Sequence, residues 1–214
     1  MITFDRVLKW IEQEKHFTYS RFGDGELNAI FNKNGQNCDG HIYYPELGKA
    51  LKKIILKNPT YFMGLQKLGD EKYRDSEEWM KLRARVRWHD MEIFTKASRS
   101  GRMKEFADLL RAKNVVQVGN ANLRSLGLTN RFIEVPVLNC WDQRENIVRE
   151  IFREVKKGDI IIYSSGMPSK VFIDHFYSLF GNSITQIDCG SVWDYYTGIN
   201  SRSYMNNLNV NKEI

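Results

Sequence analysis

The chain has 214 residues, of which 42% are hydrophobic, 27% charged and 13% aromatic. This composition predicts one globular domain with a buried core and excludes a disordered or low-complexity protein. No apolar run approaches the roughly 18 residues that a membrane helix needs. The first residues lack the layout of a signal peptide, and the three cysteines are isolated. We therefore expect a cytoplasmic protein with no membrane partner.

The net charge of +6 is unevenly distributed along the chain. Residues 76–131 hold twelve basic and six acidic side chains and account for the whole excess. A locally basic surface predicts a polyanionic partner, such as nucleic acid or a phosphorylated ligand. The alternative is a solvated helix face without a partner.

Hydrophobic periodicity and turn residues predict helices and strands along the whole chain. In the first half they predict helices over Val7–Lys15, Glu26–Asn32, Pro45–Lys57, Ser76–Ala97 and Arg102–Lys113, with strands over His16–Phe22 and Thr60–Leu65. In the second half they predict strands over Asn114–Val118, Phe132–Val137, Asp159–Tyr163 and Ile184–Ile187, with helices over Asp142–Lys157 and Ser169–Phe180.

Near-continuous apolar strands that alternate with helices are typical of an α/β protein. We predict a Rossmann-like, mostly parallel sheet with helices on both faces and a helical insertion in the middle. We expect residues 1–204 to form a single domain. The asparagine-rich residues 205–214 are predicted to be a loosely held tail.

Polar and small residues follow four of the predicted strands. In open α/β sheets ligands bind beyond the carboxyl ends of the strands, so these residues are the candidate site. They are Arg21, Gly23, Asp24 and Glu26 after the first strand, Gly119 and Asn120 after the middle one, Ser164, Gly166, Met167 and Ser169 after the next, and Asp188 and Asp194 after the last.

Asp24 and Glu26 flank a glycine at a strand end, where two carboxylates can hold a hard divalent ion such as Mg²⁺ or Mn²⁺. Arg21 would then contact a phosphate of the substrate. The alternative is structural: Asp24 caps the next helix, and Glu26 favours its first turn.

The turns at Gly119-Asn120 and at Gly166-Met167-Pro168-Ser169 each join a strand to a helix. Backbone N–H groups at a helix start can bind phosphate, although ordinary turns use the same residues. Asp188 and Asp194 are candidates for a catalytic base or for ligands of sugar hydroxyls, with a structural role as the alternative.

The basic segment combines cations with aromatic rings, the combination that often binds single strands and flipped bases. Its candidate acceptor-binding or nucleic-acid-binding residues are Arg83, Arg85, Arg87, Trp88 and His89.

Three stretches, in the same order, resemble the GT-D-type glycosyltransferases, formerly an uncharacterised bacterial domain family. They are Tyr19–Leu27, which contains the D-x-E motif at Asp24 and Glu26, then Ile160–Val171, and finally Asp188–Ser191. The family often has histidine after the last glycine, where this chain has Ser191.

The resemblance implies a nucleotide-sugar donor, most simply a UDP-sugar, a divalent ion at Asp24 and Glu26, and transfer of the sugar to a hydroxyl. Arg21 and the glycine turns would then bind the donor, and Asp188 or Asp194 would be the base.

From the basic segment, we expect the acceptor to be a hydroxymethylated pyrimidine base in DNA, modified by a phage enzyme in the cytoplasm of its host. The alternative acceptor is a bacterial glycan or glycoprotein. Further alternatives are a non-catalytic nucleotide-binding or nucleic-acid-binding module and a nucleotide hydrolase or phosphotransferase.

Overall fold

The computed structural model describes residues 1–214 and contains a single sheet of seven strands. Every neighbouring pair of strands is parallel. In chain order the strands are β1 Thr18–Phe22, β2 Phe62–Leu65, β3 Trp88–Asp90, β4 Val115–Gly119, β5 Phe132–Glu134, β6 Ile160–Ser164 and β7 Thr185–Asp188. Across the sheet their order is β3-β2-β1-β7-β6-β4-β5.

Nine α-helices connect these strands. They are α1 Phe4–Glu12, α2 Asp24–Ile30, α3 Pro45–Lys57, α4 Lys67–Tyr73, α5 Glu77–Arg83, α6 Ile93–Arg99, α7 Met103–Arg111, α8 Arg144–Glu154 and α9 Ser169–Phe180. None of them is both long and apolar enough to cross a membrane.

The helices cover both faces of the sheet, which confirms the predicted fold class. One face packs against α2, α3, α8 and α9, with Leu51 and Phe172 in its core. The other face packs against α1, α6 and α7, with Val7 and Phe106 in its core. Because central strands are covered on both sides, β6 is almost entirely apolar in sequence.

Local signals define some elements well. Helix α3 begins at Pro45, whose missing N–H would be unpaired at a helix start in any case, and ends before Asn58 in the left-handed conformation. Its predicted bounds are confirmed. Helix α1 begins at Phe4, earlier than predicted, because the Thr3 side chain accepts a hydrogen bond from the Arg6 N–H and caps it.

The long helix predicted over Ser76–Ala97 is wrong. The chain forms α5, then the edge strand β3, and then α6. Strand β3 pairs with β2 so that Trp88 lies opposite Met63. Tertiary pairing at the open edge of the sheet therefore outweighs the local helical pattern. Helix α4, between β2 and α5, was not predicted.

Candidate active site

A cavity of about 540 Å³ lies at the carboxyl ends of β1, β4, β6 and β7. After β1 the chain extends the sheet outward through β2 and β3, and the remaining strands build the other half. The change of direction leaves a crevice beyond the strand ends, which is where α/β proteins bind ligands. The topology therefore explains why the cavity lies at this edge of the sheet.

Most of the predicted site residues line this one cavity. They are Arg21, Gly23, Asp24, Glu26, Asn120, Ser164, Gly166, Met167, Asp188 and Asp194. Gly119 and Ser169 do not. A Cβ at Gly119 would lie 2.6 Å from Leu123 Cδ1, so close packing explains this glycine. The Ser169 hydroxyl is buried and lies 2.8 Å from the Ser165 hydroxyl.

None of the five candidate acceptor-binding residues of the basic segment lines the cavity; they lie between the end of α5 and the edge strand β3. Arg83 pairs with Asp70, 2.7 Å away, and Trp88 Nε1 donates to the Arg83 carbonyl. His89 lies on β3, and its Nδ1 accepts a hydrogen bond from the Ile2 N–H at 3.4 Å. Of the predicted acceptor-binding cations, Arg85 and Arg87 remain as exposed charges without an ion pair.

Several lining residues were not predicted from the sequence, among them Lys170, His41, Gln66 and Arg202. Gln66 Oε1 accepts a hydrogen bond from the Asp24 N–H at 2.9 Å, and Arg202 pairs with Asp39 across the cavity lining. His41 and Arg202 come from loops without a motif. Lys170 could have been predicted from the sequence, because it lies in the first turn of a helix that follows a strand of the predicted site.

The Lys170 ammonium ion is a buried charge of the site. Its Nζ lies 2.8 Å from Glu26 Oε1 and 2.9 Å from Asp188 Oδ2. Burial opposes the charged form of Lys170, but the Asp188 and Glu26 carboxylates outweigh it and raise the pKa of Lys170. Burial likewise opposes ionisation of Glu26, but Lys170 and the Gly23 N–H outweigh it and lower the pKa of Glu26. Lys170 and Glu26 are therefore both charged at neutral pH.

Both oxygens of the fully buried Asp188 carboxylate are occupied. Oδ1 accepts a hydrogen bond from the Gly190 N–H at 3.0 Å, and Oδ2 accepts from the Arg21 N–H at 3.3 Å as well as from Lys170. Gly190 also makes room for the Arg21 side chain, because a Cβ there would lie 2.6 Å from Arg21 Nη1. Asp188 therefore orders the end of β7 and is poorly placed to take a proton.

Asp194 has a different environment from that of Asp188. It is half-buried, lines the cavity and forms no ion pair. Burial raises the pKa of its carboxyl group, an effect partly offset by the Ser201 hydroxyl. A carboxylate with a raised pKa is a stronger base, so Asp194 is the better candidate for proton transfer.

Cationic and N–H groups also face this cavity. The guanidinium group of Arg21 donates to the Cys189 carbonyl at 2.6 Å, while its Nε is buried without a partner. The backbone N–H groups of Gly166 and Met167, just before α9, donate no hydrogen bond within the chain. Together with the helix dipole of α9, these groups form a local environment that suits an anionic ligand.

The sequence predicts a divalent ion at Asp24 and Glu26, and the structure shows whether these two side chains are free to bind one. Asp24 is exposed, but Glu26 already uses Oε1 for Lys170 and Oε2 for the Gly23 N–H, at 2.8 Å each. Both residues lie in the first turn of α2, where positions i and i+2 do not face each other. No group of three or more metal-ligating side chains is placed to hold an ion. The pair does not fit a chelating metal site.

Solved structures with the same α/β architecture are known. Neither a family model nor a curated protein matches the sequence. Among solved structures, one described as domain of unknown function 1792 matches with a TM-score of 0.65 and 18% identity over 92% of this chain and 82% of that chain. Another, described as a distinct glycosyltransferase fold in the same domain, has a TM-score of 0.63 and 17% identity over the same shares.

A third similar structure is a new glycosyltransferase of this domain type from Streptococcus sanguinis. It matches with a TM-score of 0.65 and 15% identity over 92% of this chain and 85% of that chain. At these identities the likeness defines the class of fold. The chain has the α/β architecture of these domain 1792 structures. Two of the three are described as having a glycosyltransferase fold or as a glycosyltransferase.

Proposed function

We propose that the protein is a glycosyltransferase that moves a sugar from a nucleotide-sugar donor to a hydroxyl group. The observation that carries this proposal is one cavity that combines groups for an anionic diphosphate with a carboxylate suited to take a proton. Transfer of a sugar from such a donor needs both, since negative charge develops on the leaving diphosphate while the acceptor loses a proton. The fold shared with structures described as glycosyltransferases supports the proposal.

In this mechanism Arg21 and the N–H groups of Gly166 and Met167 bind the diphosphate and stabilise it as it leaves. Asn120 offers an amide to the nucleoside or the sugar. Asp194 accepts the proton of the attacking hydroxyl. Asp188, the other base predicted from the sequence, has the role of holding Lys170 and Arg21 in place. No step is assigned to a metal ion.

The proposed acceptor remains a hydroxymethylated pyrimidine base in DNA. Arg85 and Arg87 are exposed on the β3 side of the molecule, and Met91, just after β3, lines the cavity. A DNA backbone held by these arginines could therefore present an unstacked base to the cavity. A glycan acceptor would not need them.

Donor use is tested with a panel of UDP-, GDP-, ADP- and dTDP-sugars, with nucleotide release and acceptor mass measured together. We expect one donor to be consumed, and the Arg21→Ala variant to lose about 100-fold or more of kcat/KM because a cationic contact to the leaving group is lost. Arg153→Ala, an exposed arginine on α8, is the matched control. Donor binding without release would indicate a binding module, and phosphate release from nucleoside triphosphates a hydrolase.

The acceptor is tested by offering hydroxymethylcytosine DNA and a bacterial glycan mixture to the active enzyme. A sugar-sized mass gain on DNA nucleosides is expected, and it should fall steeply as salt rises. The Arg85→Ala/Arg87→Ala double variant should lose transfer to DNA while donor hydrolysis stays unchanged. Transfer to glycan alone, insensitive to this double variant, would overturn the DNA acceptor and keep the glycosyltransferase.

A further inference from the structure

A buried lysine, Lys170, lies between the carboxylates of Glu26 and Asp188. The Lys170 Nζ contacts Glu26 Oε1 at 2.8 Å, Asp188 Oδ2 at 2.9 Å and the Gly166 carbonyl at 3.3 Å. An ammonium ion has three N–H donors, and here each has an oxygen acceptor. The lysine side chain is only 6% exposed, so solvent does not compete for these contacts.

The same oxygens are the ones that a divalent ion would need. Mg²⁺ and Mn²⁺ bind carboxylate and carbonyl oxygens, and Glu26, Asp188 and Gly166 provide them at one point. The remaining oxygens of both carboxylates are also engaged, Glu26 Oε2 by the Gly23 N–H and Asp188 Oδ1 by the Gly190 N–H. A metal ion could enter this cluster only by displacing the ammonium ion.

We propose that the Lys170 ammonium ion takes the place of a divalent cation between Glu26 and Asp188, so that the site works without an added metal ion. Lys170 is a positioning residue: it holds the N-terminal turn of α2, the end of β7 and the turn before α9 in one arrangement. Arg21 and the N–H groups of that turn then meet the charge of the diphosphate. The binding of a diphosphate by Arg21 and these N–H groups rests on the proposed function. The position of Lys170 between Glu26 and Asp188 does not.

The proposal can be tested without measuring enzyme activity, because the Lys170 ammonium ion balances the charge of the two carboxylates. Removing the ammonium ion leaves two buried carboxylates close together, which is an unfavourable arrangement that a divalent cation relieves. Lys170→Ala should therefore create a metal site that the natural protein lacks. Adding Glu26→Gln to Lys170→Ala should remove that site again, because one of its two charges is gone.

Mn²⁺ binding is measured by electron paramagnetic resonance on the whole chain, without nucleotide. We expect no stoichiometric Mn²⁺ binding to the wild type or to Lys53→Ala, an exposed lysine used as the matched control. We expect one bound Mn²⁺ in Lys170→Ala and none in the double variant. Stoichiometric Mn²⁺ bound by the wild type and lost in Glu26→Gln would overturn the proposal. So would a folded Lys170→Ala that binds no Mn²⁺.

Turnover provides a second measurement, and its wild-type part does not require any variant to fold. Wild-type transfer should continue at full rate in excess EDTA, and Lys170→Arg should retain more activity than Lys170→Ala. Activity that EDTA abolishes and Mn²⁺ restores would overturn the proposal. If no donor reacts under any condition, the proposed function fails, while the Mn²⁺ titration still decides the role of Lys170.

Discussion

At the level of single residues, two aspartates of one cavity have different surroundings. Asp188 is fully buried and bonded through both carboxylate oxygens to Lys170, Arg21 and Gly190. Asp194 has no ion pair, and burial raises the pKa of its carboxyl group. The same side chain is therefore suited to hold the site together at one position and to move a proton at the other.

Replacing Asp194 with asparagine should lower kcat for transfer by about 100-fold or more, because the general base is lost. The base acts when deprotonated, so wild-type kcat/KM should fall as pH drops through the raised pKa of Asp194. Measured pH–rate profiles should lack this acidic limb in the variant. Asp75→Asn, at a side chain that is 97% exposed, is the control. An unchanged profile in Asp194→Asn would exclude this residue as the base.

At the level of elements, the first turn of α2 is positioned by the helix that packs against it. Helices α2 and α3 cross at Gly48, where an added Cβ would lie 2.0 Å from the Ala29 carbonyl oxygen. This contact with rigid backbone cannot be relieved by a side-chain rotation. The crossing therefore sets the position of α2 and, through it, of Glu26 and Asp24.

Gly48→Ala should lower the free energy of unfolding by about 1–3 kcal/mol, because the two helix backbones must separate. Denaturant unfolding followed by circular dichroism measures this loss. Lys53→Ala, an exposed position of the same helix, should change stability by less than about 0.5 kcal/mol. Equal stabilities of the two variants would mean that the helices adjust at no cost and that the crossing does not position the site.

At the level of the whole molecule, the C-terminal segment is connected to the cavity. Met205 is 1% exposed, and the Tyr195 hydroxyl lies 3.1 Å from the Leu208 carbonyl and 3.0 Å from the Val210 carbonyl. Just before this segment, Arg202 lines the cavity and pairs with Asp39 of the loop before α3. The loosely held tail predicted for residues 205–214 stays a prediction, and Met205 is the place to test it.

Met205→Ala should cost about 2–5 kcal/mol of stability if this segment is docked as the contacts indicate, since a buried side chain leaves a cavity. Thermal unfolding measures it, and the exposed neighbour Asn206→Ala is the control. We also expect the KM for the donor to rise, because Arg202 is anchored close by. A loss of stability no larger than that of the control would favour a loosely held tail.

Much of the fold could be predicted because its signals are local. The apolar run of β6, the proline at the start of α3 and the glycine-containing turns at strand ends each act within a few residues. Most of the site residues predicted at those strand ends do line the cavity, since parallel strands bring their carboxyl ends to one edge. Strand β3 could not be predicted in this way, because its pairing with β2 depends on a partner distant in sequence.

The sequence by itself determined the class of fold and the edge of the sheet at which the site forms, because hydrophobic periodicity and turn chemistry act locally. Only the tertiary structure decided what the charged residues do there. Lys170 of α9 contacts Glu26 of α2 and Asp188 of β7. These residues are far apart in the sequence, so no local spacing could predict their contact. The environment of a buried charge comes from the elements packed around it, and that environment gives each carboxylate its role.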